Sequence, residues 1–75
     1  MVVITVRIPS TSYGSAWEVV AWLEQNVGEL CADIDEARHY QQGYGNGYSF
    51  YLTGYSICVT LDDERWATAL ALKWA

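Results

Sequence analysis

The stretch Tyr40-Gln-Gln-Gly-Tyr44-Gly-Asn-Gly-Tyr48-Ser-Phe-Tyr51-Leu-Thr-Gly-Tyr55 carries five of the chain's six tyrosines, its only phenylalanine and four of its six glycines. Residues alternate through it with period two, the mark of a half-buried strand. Asn46-Gly47 is the favoured dipeptide of a two-residue type I′ hairpin turn. A loop there sets Gly45 opposite Tyr48, Gly43 opposite Phe50 and Gln41 opposite Leu52. Glycines facing large aromatics leave room for the rings to lie across the neighbouring strand. Thr53-Gly54 is a second turn signal. A tight turn there sets Leu52 opposite Tyr55, Phe50 opposite Ile57 and Tyr48 opposite Val59. All six then share one face, and a slip by one residue would scatter them. The other face carries Tyr40, Gln42, Tyr44, Ser49, Tyr51, Ser56, Cys58 and Thr60, a polar-aromatic surface expected to be at least half exposed.

Upstream, residues 1–8 alternate as Val2, Ile4, Val6, Ile8 against Val3, Thr5, Arg7. Both sets are partly apolar, so this strand is expected in the sheet centre. Pro9 ends it and residues 10–14 read as a turn. Ser15-Ala-Trp-Glu18 is a capping-box pattern. Ala16, Val20, Leu23, Val27 and Leu30 then recur at four-three spacing, widened by Val19 and Trp22, which predicts a helix over 15–28 with Gly28 near its end. Asp33, Asp35 and Glu36 are poor strand formers, so the next strand is expected to begin near Glu36. Downstream, Asp62 fits an N-cap, Asp63 and Glu64 suit the positive end of a helix dipole, and Leu61 and Trp66 stand as a hydrophobic staple. This helix is expected to run to about Leu70, with residues 72–74 as a short closing strand beside residues 1–8. The order predicts an α+β fold: a small antiparallel sheet with two helices on one face, ferredoxin-like with an extra central hairpin.

Seventy-five residues allow one domain, 1–75, with one core. With 52% hydrophobic residues, Trp17, Trp22, Trp66 and Trp74 either fill that core or exceed it and leave an apolar patch. Nine carboxylates against four basic residues give a net charge of -5. Arg7, Arg38, Arg65 and Lys73 are scattered, so no counterion-releasing stripe exists for nucleic acid, and an anionic membrane surface is equally disfavoured. No apolar run approaches a membrane span, and no signal peptide is visible. Cys31 and Cys58 make no disulfide framework. A cytoplasmic protein with reduced thiols is expected.

The opening run Val-Ile-Thr-Val-Arg-Ile-Pro9 and the ending Ala69-Leu-Ala-Leu-Lys73-Trp74, after an acidic helix start, resemble small uncharacterised proteins of tailed phages. Those open with a strand ending in Ile-Pro and finish with a short acid-rich helix followed by aliphatic-x-Lys/Arg-Trp. The likeness covers the two ends, about a third of the chain, and leaves out the Tyr/Gly middle. It implies phage origin, hence the host-cell cytoplasm, and no chemistry.

Candidate chemistry is sparse. His39 after Asp33, Asp35 and Glu36 suggests a metal site, but no Cys-x-x-Cys or His-x-x-x-His spacing supports one, and solvated acids before a histidine explain the run. Gly43-x-Gly45-x-Gly47 lacks the following helix that a phosphate loop needs. Nucleophilic catalysis would have to pair His39 with a serine or with Cys31, and nothing in the spacing promotes that. Asp62, Asp63 and Glu64 are explained by capping. No enzyme, metal or cofactor is therefore expected. Tyr40, Tyr44, Tyr51 and Tyr55 remain as the candidate protein-binding residues, since tyrosine offers large contact area with a polar tip at low entropy cost. Cross-strand packing explains the same residues as sheet stabilisers. Three functions follow in order: an interaction module that modulates or inhibits a host protein with a basic-rimmed surface; a self-associating module closing a homodimer through its sheet face or edge; and a small ligand-binding or enzymatic ferredoxin-like domain.

Overall fold

The chain's computed structural model describes residues 3–9 and 13–74. Its elements run β1 (Ile4–Pro9), α1 (Tyr13–Asn26), α2 (Ile34–Tyr40), β2 (Gln42–Gly45), β3 (Tyr48–Leu52), β4 (Ser56–Leu61) and α3 (Glu64–Trp74). The four strands form one sheet in the order β1-β4-β3-β2, with every neighbouring pair antiparallel. The fold is α+β, with the helices gathered on one face of an antiparallel sheet.

The first hairpin has the expected register, Gly45 opposite Tyr48 and Gly43 opposite Phe50. Its turn differs from type I′, because only Gly47 (φ 94°) and not Asn46 has positive φ. Asn46 is held from outside the hairpin: its N–H donates to Glu29 O at 2.9 Å. The second hairpin is offset by two residues from the expectation. Leu52 faces Ile57, Phe50 faces Val59 and Tyr48 faces Leu61. A tight Thr53-Gly54 turn would force a β-branched residue to positive φ. Instead Thr53 N donates to Ser56 O at 2.7 Å, and the Thr53 hydroxyl accepts from Ser56 N at 3.0 Å. An offset of two keeps every side chain on its face, so Leu61 enters the core and Tyr55 leaves it for the loop.

α1 buries Ala16, Val19, Val20 and Leu23. It begins two residues earlier than expected, so Ser15 lies inside it and is not its N-cap. The turn expected before it lies, at residues 10–12, outside the described residues. Val27 N and Gly28 N both donate to Leu23 O, at 2.9 and 3.2 Å, closing the helix.

The segment expected to start a strand near Glu36 is helical instead. Asp33 is the N-cap of α2, accepting from Asp35 N at 2.8 Å and Glu36 N at 3.3 Å. Two acids in the first turn and Arg38 and His39 in the last suit the helix dipole. Gln41, in the left-handed region at φ 57°, caps the other end and turns the chain directly into β2.

α3 also departs from expectation. Its N-cap is Asp63 rather than Asp62: Arg65 N donates to Asp63 Oδ1 at 2.9 Å, and Ala67 N to Asp63 O at 3.1 Å. The helix continues through residues 72–74, so no closing strand forms there. Four-residue spacing puts Trp66, Leu70 and Trp74 on one stripe. Trp22 of α1 meets both tryptophans edge-on, at 6.0 Å from Trp66 and 5.9 Å from Trp74. Burying this stripe outweighs the strand preference of its aromatic end. The ferredoxin-like detail is accordingly not seen. Without a last strand, β1 pairs with β4 at a sheet edge rather than in the centre, and three helices are present rather than two.

Leu23, Ile57, Leu61 and Leu70 are fully buried, each worth about 1.5–3 kcal/mol of transfer free energy. Gly45 is tested directly by substitution. A Cβ there would overlap the buried ring of Tyr48, and overpacking of this kind costs about 1–3 kcal/mol. Gly45→Ala should lower the urea midpoint accordingly, whereas Gly54→Ala, with nothing within 4 Å of the added carbon, should leave it nearly unchanged. Equal midpoints for the two variants would refute the close fit at Gly45.

The Tyr48 hydroxyl is buried with no hydrogen-bond partner among the described residues. Burial first, then the charges of Glu24 and Cys31, push its phenol up to about 12. The folded state thus favours the neutral form. That contribution is whole below about pH 10 and is lost as pH rises toward 12. Tyr48→Phe should keep its stability across this window better than the parent and be no less stable at neutral pH. Denaturation midpoints at several alkaline pH values for both proteins would show it.

Candidate functional site

The antiparallel register lays two rows across the face of the sheet opposite the helices. One row is Gln42, Tyr51, Cys58 and Arg7; the other is Tyr44, Ser49, Thr60 and Thr5. Tyr44 and Tyr51 therefore stand diagonally on neighbouring strands, within reach of one another for long side chains. They are 57% and 47% exposed. The hydroxyls of Thr5 and Thr60 lie 3.3 Å apart.

Beneath this surface Cys58 is buried, with Tyr51 and Arg7 on either side of it in the row. Burial pushes its thiol up, but hydrogen bonds donated by Tyr51, Arg7 and Ser56, together with the Arg7 charge, more than offset this, and the pKa lies below the ordinary thiol value. In return, the hydrogen bond to Cys58 and its charge push the Tyr51 phenol up. Arg7 and Tyr51 thus flank the buried thiol from the two neighbouring strands and roof it on this face.

Two adjoining depressions flank Tyr44. One, of about 350 Å³, lies on the sheet face between Tyr44 and Tyr51, with Gln42 and Ser49 in its lining. The other, of about 150 Å³, lies between α2 and β2. Ala32, Glu36 and Tyr40 line it on one side, Gln42 and Tyr44 on the other, with Gly43 and Ala37 between. Its walls are tied by backbone: Cys31 N donates to Tyr44 O at 3.0 Å, and Leu30 bridges Gly45. These contacts also cover the outer edge of β2.

Of the four tyrosines singled out from the sequence, Tyr40, Tyr44 and Tyr51 gather around these depressions. Tyr55 does not: it sits in the Thr53–Ser56 loop, 87% exposed and off the ladder. Tyr40 arrives from the end of α2 rather than from a strand, and His39 packs edge-on against it at 4.8 Å. Arg7 and Glu36 also belong to this surface, although the sequence marks Arg7 only as a strand residue among scattered basic ones and Glu36 only as a strand start and an acid before His39. Arg7 could be placed only with the β1–β4 pairing in hand. Glu36 was legible through Asp33-x-x-Glu36, a capping-box spacing that announces a helix and sets Glu36 one turn before Tyr40.

Among the described residues no three His, Cys, Asp or Glu side chains come together as a metal site would require, and no helix is long and apolar enough to cross a membrane. Set against family models, curated proteins and solved structures, the chain matches none of them.

The roof over Cys58 has a measurable consequence. Cys31 is exposed and Cys58 buried, so a thiol reagent should modify one cysteine rapidly and the second only as the fold opens. At a pH high enough to ionise the thiol in both proteins, the second should react markedly faster in Arg7→Ala at unchanged global stability. An unchanged rate would mean that Arg7 does not shield the thiol.

Proposed function

We propose that the chain is a small non-catalytic protein-interaction module that meets its partner through the uncovered face of the sheet, and that it is a phage-encoded modulator or inhibitor of a host protein. One observation carries this reading. The helices all pack on one side of the sheet, and the bare side presents two exposed tyrosines with a guanidinium in the same row as one of them. Tyrosine and arginine are, with tryptophan, the residues in which binding energy concentrates at protein contacts. The phage origin and the host cytoplasm rest on the likeness of the two ends of the chain, which are neighbours in space because α3 packs across β1.

Nucleic acid and membrane surfaces are not proposed as partners. Each basic side chain has a local engagement: Arg7 at Cys58, Arg38 over Trp17, Arg65 on Asp63 and Lys73 over Trp74. They form no stripe along which a phosphate backbone would run. The reading invokes no metal and no cofactor.

The size of the face bounds the contact. Four strands ~4.8 Å apart and four to six residues long, at ~3.4 Å each, span at most roughly 20 by 20 Å. That is about 400 Å², half of the ~800 Å² per partner of a standard interface. A partner bound here makes a transient contact, or it also runs over the β2 edge toward Tyr40.

A second reading, a homo-oligomer, is favoured by β1. Its outer edge pairs with nothing among the described residues, whereas the edge of β2 is covered. Ile4 and Val6 stay only half-buried there, and Arg7 and Pro9 are the kind of residues that discourage further pairing.

Affinity capture of the tagged, folded protein from a bacterial lysate, with sizing of the free protein alongside, tests both. The first reading expects a stoichiometric host protein that disappears with Tyr44→Ala/Tyr51→Ala while the variant remains folded. Retention of that protein by the double variant would rule out the tyrosine face. A dimer in the absence of any captured protein would favour β1.

A further inference from the structure

We infer that the cleft between α2 and β2 is a receptor for a cationic side-chain head, the ammonium or guanidinium of a lysine or arginine on the partner, with Tyr40 and Tyr44 as aromatic walls and Glu36 as the counter-charge. This deepens the reading of the tyrosine face as an interaction surface and rests on it for the identity of the occupant as part of a protein.

The sequence builds this cleft from two periodicities. Four-residue spacing on α2 puts Glu36 and Tyr40 on one flank of the helix. Two-residue spacing on β2 puts Gln42 and Tyr44 on one face of the strand. The single left-handed residue Gln41 joins the two elements without a loop, so the flank and the face meet at a fixed angle. Asp33 fixes the start of α2, and the Cys31 N–H to Tyr44 O bond fixes the edge of β2. Ala37 and Gly43 sit between them, small enough that Ala37 Cβ would be only 3.4 Å from a carbon added at Gly43.

Size and charge select the occupant. About 150 Å³ is well below the ~300–1,000 Å³ of sites that hold whole small molecules, so the cleft suits a side-chain head. Tyrosine faces carry negative quadrupole potential and attract cations positioned within about 6 Å of the ring. Glu36 adds a full charge, and Asp35 shares the first turn with it, after the Asp33 cap. Among the described residues Glu36 is the one charged residue in the lining; Arg38 lies 5.6 Å from the ring of Trp17, and His39 packs edge-on against Tyr40 without lining the cleft. The cleft adjoins the larger depression between Tyr44 and Tyr51, because Gln42, Gly43 and Tyr44 line both. A partner segment crossing the β2 edge can set its basic side chain in the cleft and its neighbours on the sheet face. The route supplies the contact area that the sheet face lacks by itself.

The test uses a small cation alone, so its outcome does not depend on any protein partner being found. The intact chain is titrated with tetramethylammonium and, separately, with neutral tert-butyl alcohol, and followed by NMR at the Gly43 amide and the Tyr40 and Tyr44 rings. Saturable shifts are expected with the cation and not with the alcohol. Tyr40→Ala should weaken binding about two- to five-fold, the range of exposed cation–π contacts, and Glu36→Gln should weaken it several-fold, while Tyr55→Ala should change nothing. Tyr40 is 63% exposed, so its variant keeps the fold. Equal shifts from the alcohol, absence of saturation, or full binding by both Tyr40→Ala and Glu36→Gln would overturn the assignment. Cation binding without capture of a host protein would leave the cleft standing and remove only its proposed partner.

Discussion

Phe50 and Tyr48 project from β3 over Gly43 and Gly45 of β2, and that overlap governs the arrangement of the molecule. At Gly43 an added carbon would come within 2.7 Å of Phe50 Cζ, and at Gly45 it would collide with the Tyr48 ring. No other residue type leaves this room. The two rings stack at 6.4 Å, and Phe50 continues edge-on to Trp17 of α1 at 6.1 Å, whose ring lies under Arg38 of α2. An aromatic run thus reaches from the sheet edge through α1 to α2. It holds α2 over the helix-facing side of β2 and sets Ala37 against Gly43. With that side filled, Tyr44 and Tyr51 can only stand on the other.

The tryptophans have a different task from the tyrosines. Trp22, Trp66 and Trp74 meet where α1 passes α3, half-buried and edge-to-face, and close the end of the helical layer. In a chain of 75 residues such large side chains compensate for a core with few members. The apolar surface left over falls largely on tyrosines. A tyrosine can stay in water at little cost because its hydroxyl is hydrated.

Much of this was legible in the sequence, and the exceptions have physical reasons. The alternation and the glycines opposite aromatics located β2 and β3, and the faces of β3 and β4 were right even though their register was offset by two, because parity survives an even slip. The turn types were not legible. Thr53 chose a hydroxyl-bonded loop, and Asn46 was drawn to Glu29, a contact from outside the hairpin. α2 was missed because its seven residues carry only one buried position, Ala37, too little for a periodic signal. Its cap alone announced it. The end of α3 was misread because Leu72-Lys-Trp74 suits a strand locally, and only the tertiary meeting with Trp22 decides for helix. The candidate site inherits these errors: Tyr44 and Tyr51 were placed correctly from alternation, Tyr55 was lost with the turn, and the cleft was invisible without α2.

The outward tyrosines also have a purely structural explanation, cross-strand packing, and the neighbours of each decide how far it goes. Tyr51 sits beside Cys58 and shares its thiol with Arg7, so it has an internal reason to be there. Tyr44 faces Ser49 across the strand pair, a residue too small to pack its ring. Tyr40 lies beyond the ladder, touching only the ring of His39 among its aromatic neighbours. Sheet packing therefore explains Tyr51 best, Tyr44 poorly and Tyr40 least. Among these three, unexplained aromatic area grows toward the β2 edge, where the cleft with Glu36 lies, while Tyr55 stands apart in the loop between β3 and β4. A surface shaped only by folding would place its surplus rings where the sheet could use them; Tyr40 and Tyr44 instead stand together at the β2 edge, around one cleft.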